Sequence, residues 1–195
     1  MVSACGLSGQ AFFLDWESLQ TKSVPLFPNH TFIVIHSGST RKLSQGSYNE
    51  RKQETMLASK ILNVPSLRYA SLGQIKLIED PTIQIRAKHI ISENNRVIQA
   101  TSCLEENDAK QFGELMNLSH QSMRDDYEIS SDEINQVVEA ARNKGALGAR
   151  LTGAGFGGCV IVLAENEKVD TMTRSILSQC TQAYLVTTIS GKLNS

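Results

Sequence analysis

Two kinds of apolar run divide the chain, and the change of period between them marks its elements. Thr31-Phe32-Ile33-Val34-Ile35-His36 is continuously β-branched and aromatic, closes on Ser37-Gly38-Ser39, and predicts a buried strand entering a loop. Ahead of it, Gly6, Gly9, the run AFFLDW (11–16), Val24, Pro25, Leu26 and Pro28 predict short strands and turns, with Trp16 assigned to the core. Beyond it the period lengthens to that of helices. One helix is expected over 47–63 with Met56, Leu57, Ile61 and Leu62 on one face, followed by a short helical turn over 71–79. Two more are expected over 83–104 and 107–123, the second capped by Asn107 and carrying Phe112, Leu115 and Met116. Ser130 and Glu133 read as a capping box ahead of Ile134, Val137, Val138 and Ala141, and Gly145 ends that helix.

After Gly145 the pattern turns extended again. Residues 149–152 are short and extended, a glycine-rich turn follows, and 159–164 is a continuous apolar strand. Val169, Met172, Ile176 and Leu177 mark one more helix, and 183–189 a last strand. Strand, helices, strand, strand, helix, strand is the order of an α+β fold with a ferredoxin-like antiparallel sheet covered by helices. The expected division is strands and turns over 1–30, then one domain over 31–195.

Composition narrows the function. The 195 residues carry 19 Lys and Arg against 20 Asp and Glu, a net charge of −1. No basic excess or stripe is present, which argues against nucleic-acid and anionic-membrane partners. With 41% hydrophobic and 20% charged residues the chain is an ordinary globular sequence. Cys5, Cys103, Cys159 and Cys180 form no C-x-x-C pair and no zinc-like spacing with His, so a reduced, cytoplasmic protein without a structural metal is expected. No apolar run approaches the roughly 20 residues that a membrane-spanning helix needs.

The most informative segment is Arg150-Leu-Thr-Gly153-Ala154-Gly155-Phe156-Gly157-Gly158-Cys159. Its G-x-G-x-x-G spacing satisfies the dinucleotide fingerprint, but that site needs a helix after the glycines, and here a strand follows. A loop of four glycines between two strands lets backbone N–H groups approach a ligand closely; a tight hairpin with a bulge has the same pattern. Tyr48, with Arg51 and Lys52, opens a helix just past a strand exit, where its hydroxyl either donates into a cleft or simply reaches water. His120 and Asp125 are an acid/base couple or, with Arg124, Asp126 and Glu128, a set of ties at a helix end. Asp125 and Asp126 form a weak Mg²⁺ pattern, since adjacent carboxylates on a helix point different ways. His36 and His89 read as packing histidines.

Four segments together resemble the C-terminal half of the galactokinases, a branch of the GHMP family of small-molecule kinases. They are Met1-Val-Ser-Ala-Cys-Gly6, the SYNERKQE stretch with Tyr48, the block His120 to Glu128, and Arg150 to Cys159. The resemblance implies the GHMP kinase C-terminal domain and an activity that moves the γ-phosphoryl group of ATP to the C1 hydroxyl of α-D-galactose with Mg²⁺. It implies that Tyr48 contacts the sugar and that Gly153, Ala154, Gly155, Phe156, Gly157 and Gly158 line the cleft, Ala154 standing where many members carry Gly. The family's catalytic Asp and its ATP-phosphate loop precede the residues that match Met1. The chain is therefore expected to be a fragment that is inactive alone, holds no metal or tightly bound cofactor, depends on an N-terminal half as partner, and self-associates through an exposed cleft face. Alternatives are a non-catalytic sugar-sensing module and a related GHMP kinase such as one acting on N-acetylgalactosamine.

Overall fold

The computed structural model describes residues 8–39 and 45–191. The segment 1–6 that contributed to the resemblance, with Cys5, lies outside them. A hairpin of β1 (Gln10–Leu14) and β2 (Thr21–Pro25) comes first and forms its own two-stranded sheet. Then β3 (His30–His36) leads to four helices, α1 (Gln45–Ile61), α2 (Pro81–Glu105), α3 (Ala109–Asp125) and α4 (Asp132–Asn143), with short 3₁₀ turns between α1 and α2. The chain closes with β4 (Gly148–Thr152), β5 (Cys159–Glu165), α5 (Val169–Gln179) and β6 (Tyr184–Ser190). The second sheet has the order β4-β5-β3-β6 and is antiparallel at every pairing, which is the ferredoxin-like arrangement.

Alternation along the strands sorts their side chains onto two faces. Ile33, Ile35, Leu151, Val160 and Val162 point to one face and pack on Ile134, Val137 and Ala141 of α4 and Met172 and Ile176 of α5. On the other face Phe32 and Leu163 meet Ala109 and Met116 of α3, with Phe27 and Phe112 closing an edge-to-face contact at 5.4 Å. Helices therefore cover β3, β4 and β5 on the first face and only part of the second, while the edge strand β6 is exposed along nearly its whole length. A third cluster, including Ala58, Leu62, Ile78, Ile83 and Ile91, joins α1 to α2 and the 3₁₀ turns.

Several local expectations are corrected by tertiary context. In α1 the buried position is Ala58, and Leu62 just past its end is buried as expected, while Met56, Leu57 and Ile61 are exposed, because α2 meets the helix along the other edge of its apolar stripe. Trp16 is 73% exposed at the tip of the β1–β2 hairpin, where none of the described residues covers it. The cap of α3 is Asp108, whose carboxylate accepts from the Gln111 N–H, and Asn107 instead takes a left-handed φ of 56°. Ser131 caps α4, one residue beyond the expected Ser130, whose hydroxyl turns to Asn135. Gly145 ends α4 at φ 84°, as its sequence position implies.

Candidate functional site

The glycine segment is a hairpin loop. β4 and β5 pair from Thr152↔Cys159 onward, so the six residues 153–158 connect two antiparallel strands, and no helix follows the glycines. Gly153, Gly155, Phe156, Gly157 and Gly158 all have positive φ, between 61° and 124°. Ala154 alone lies outside that region, and it is exposed, so the turn accommodates its methyl group. At Gly155 a Cβ would sit 2.7 Å from the backbone oxygen of Ile129, and the Phe156 N–H donates to that carbonyl at 2.7 Å. The Ser37 N–H donates to Gly158 O at 2.9 Å. The middle of the loop is thus latched to 129 and its far end to the exit of β3, while Gly153 and Ala154 are exposed.

Tyr48 stands in the first turn of α1, 56% exposed. It lies within electrostatic reach of Tyr127, whose ring stacks on His89 with centroids 4.3 Å apart. Two residues further on, Ile129 holds the glycine loop. Tyr48 thus lies near Tyr127 and Gly155 packs on Ile129, two residues apart in the chain. Next to Phe156, a hollow of about 490 Å³ is bordered by Gly38, Ser130, Asp132 and Glu133; its two carboxylates make it a poor phosphate site.

A four-residue charge network that sequence patterns do not signal holds the 126–128 segment to the helices. Arg86 in α2 is 3% exposed and donates to the Asp126 carbonyl at 2.6 Å, to Glu54 Oε2 at 3.2 Å and to Glu128. Arg51, one turn beyond Tyr48, pairs with Glu54 and reaches Glu128 at 3.5 Å. Its members are 32 to 77 residues apart in the chain except for Arg51–Glu54, so no local spacing could have revealed them.

The histidine cluster resolves into structural ties. His120 is buried and its Nδ1 accepts from the Leu151 N–H at 3.4 Å, while Asp125 pairs with Arg124 at 2.7 Å. Asp126 accepts from Ser122 and Lys88, so the adjacent carboxylates serve different partners. Among the described residues no group of three or more His, Cys, Asp or Glu is placed to hold a metal ion. Burial above all holds the pKa of both His89 and His120 down to about 4. Each is neutral when folded yet takes a proton near pH 6.5 when unfolded, so stability is complete above pH 6.5 and declines as pH falls toward 4. Urea midpoints should drop over that window, and His89→Gln should flatten the slope.

Residues 100–181 match the family described as GHMP kinases C terminal. A galactokinase of Exiguobacterium sibiricum is 41% identical over 180 residues, covering 88% of this chain and 46% of that protein. One from Actinobacillus succinogenes is 39% identical over 184 residues, covering 90% and 48%. The chain belongs to the GHMP kinase family. A solved structure of Lactococcus lactis galactokinase complexed with galactose superposes with a TM-score of 0.88 at 32% identity, over 95% of this chain and 52% of that one. An L. major mevalonate kinase in complex with R-mevalonate shares the fold at a TM-score of 0.60 and 20% identity. The ferredoxin-like sheet and its helices are thus the C-terminal domain of a GHMP kinase, and the chain spans about half the length of the curated relatives it matches. No helix among the described residues is long and apolar enough to cross a membrane.

Proposed function

We propose that this chain is the C-terminal half of a cytoplasmic galactokinase, which transfers the γ-phosphoryl group of ATP to the C1 hydroxyl of α-D-galactose. The observation that carries the reading is the match to galactokinases at about 40% identity along 88–90% of the chain. In this reading residues 1–30 belong with the interdomain region and 31–195 form the second wall of the cleft. Tyr48 donates a hydrogen bond to the sugar. The loop Gly153–Gly158 lines the cleft, with the exposed N–H groups of Gly153 and Ala154 available to an anion. In the complete enzyme Mg²⁺ would be held with the ATP phosphates, where it would neutralise charge on the transferred group. Without that half, the uncovered cleft surface is where copies of the chain associate.

The test is reconstitution. Mixing this chain with the N-terminal half of a galactokinase, or restoring the longer polypeptide, is expected to yield galactose-dependent ADP formation; failure with both halves folded would overturn the reading. In the active form Tyr48→Phe should lose about 1–3 kcal/mol of transition-state stabilisation, roughly 5- to 150-fold in kcat/KM for galactose. An unchanged kcat and KM would remove Tyr48 from the sugar site.

A further inference from the structure

On the sheet face that helices cover only in part, a cavity of about 230 Å³ lies between β4, β5, α2 and α3. Its walls divide by chemistry. Val97 and Ala100 of α2 face Phe112 and Met116 of α3 across an apolar end. The other end carries Glu93, Arg96, Ser119 and Arg150.

That polar end is not electrically balanced. Glu93 is well served, accepting from Arg96 Nε at 2.5 Å and from Ser119 Oγ at 2.6 Å, and Arg96 also donates to Ser92 Oγ at 2.8 Å. Arg150 fares worse. Its Nε donates to the Leu151 carbonyl at 3.0 Å, but among the described residues one terminal nitrogen has only the Met123 sulfur at 4.0 Å and the other stands 3.8 Å from Glu93. Neither is a strong hydrogen bond. About two thirds of the Arg150 side chain is covered, and burial pulls its guanidinium below the ordinary value. The charges that act on it are Glu93 and Arg96, so two cations face one anion.

We propose that this cavity binds a small organic monocarboxylate, with the carboxylate against the terminal nitrogens of Arg150 and an apolar tail between Val97, Ala100, Phe112 and Met116. A carboxylate matches the planar guanidinium and cancels the one surplus charge. A dianionic phosphate would instead meet the Glu93 carboxylate close beside Arg150. The volume is many times what a single water needs, which leaves room for a short-chain acid. Tyr48 is not among the residues that line it, and the proposal does not rest on the sugar-kinase reading. Arg150 and Thr152 both border it, so its occupant would touch the strand that feeds the glycine loop.

Titration of the 195-residue chain with sodium hexanoate, 1-hexanol and hexyl phosphate, by calorimetry and by the Met116 methyl NMR signal, tests the assignment. Hexanoate should bind about tenfold more tightly than either comparator and shift the Met116 signal. Arg150→Gln should erase the advantage over hexanol. Ala100→Leu, which fills the apolar end without touching a charge, should weaken hexanoate by about tenfold or more. If Arg150→Gln does not fold, Ala100→Leu and the hexanoate-to-hexanol ratio still decide. Equal affinity for hexanoate and hexanol, tighter binding of hexyl phosphate, indifference to Ala100→Leu, or no saturable binding by about 10 mM would each overturn the proposal.

Discussion

Gly113→Ala is expected to destabilise the chain by about 3 kcal/mol, although the same change inside an isolated helix would stabilise it by about 1 kcal/mol. Gly113 lies in the second turn of α3, where that helix crosses the start of β4. A Cβ there would stand 2.4 Å from the Leu147 carbonyl oxygen and 2.5 Å from its carbon. Gly148 repeats the constraint from the strand side, since its own Cβ would come 2.4 Å from Gly113 O. These are backbone atoms, which cannot rotate aside as a flexible side chain would. The approach is further pinned by Asn117, whose amide donates to Leu147 O at 3.2 Å and accepts from the Ala149 N–H at 3.1 Å. Relief of the clash therefore requires α3 and β4 to separate, with loss of that pair of bonds. Urea denaturation of the wild type and of Gly113→Ala measures the effect, and an unchanged or higher midpoint would refute the close packing.

Arg86→Leu should cost about 3–5 kcal/mol, the range for removing one partner of a buried ion pair. The loss has two parts. Glu54, whose side chain is 13% exposed, keeps only Arg51, and the Asp126 carbonyl loses its charged donor. Arg86→Lys should recover only part of this, because one ammonium cannot span the three acceptors that the guanidinium fork reaches. Glu128→Gln serves as the contrast. Its carboxylate is 56% exposed, so its removal should cost no more than about 1 kcal/mol although it touches both arginines. Thermal or urea unfolding of the three variants separates the cases, and equal losses for Arg86→Leu and Glu128→Gln would contradict the buried network. In reconstituted enzyme the same network ties the helix of Tyr48 to the segment that latches the glycine loop, so Arg86→Lys should also lower kcat/KM for galactose.

Where the sequence read well, the cause is local. Every strand of the four-stranded sheet lies within a residue or two of its expected place, because β-branched runs bounded by turn residues express their preference over a few neighbours. The rejection of a dinucleotide site held for the same reason. Glycines followed directly by Cys159-Val160-Ile161-Val162 cannot open a helix, and their positive φ values are what a hairpin loop of this kind uses. The resemblance carried by Tyr48, the His120–Glu128 block and the glycine segment also survived comparison over most of the chain. Cap positions slipped by one residue at Asn107/Asp108 and at Ser130/Ser131. Both members of each pair can cap, and only the backbone torsions select between them.

What the amino-acid order determined by itself was the set of elements, their succession, the antiparallel ferredoxin-like class and the family. Period, glycine placement and turn chemistry act between near neighbours, and those are visible along a line. Only the folded chain decided that Trp16 faces water, that Ala58 rather than Met56 meets α2, and that Arg86 is shared by Glu54 and Glu128. It alone brought Gly113 onto Gly148, and Gly155 onto Ile129. Each of these depends on which distant backbone or charge arrives at a given spot, and burial and Coulomb energies have no term in sequence separation.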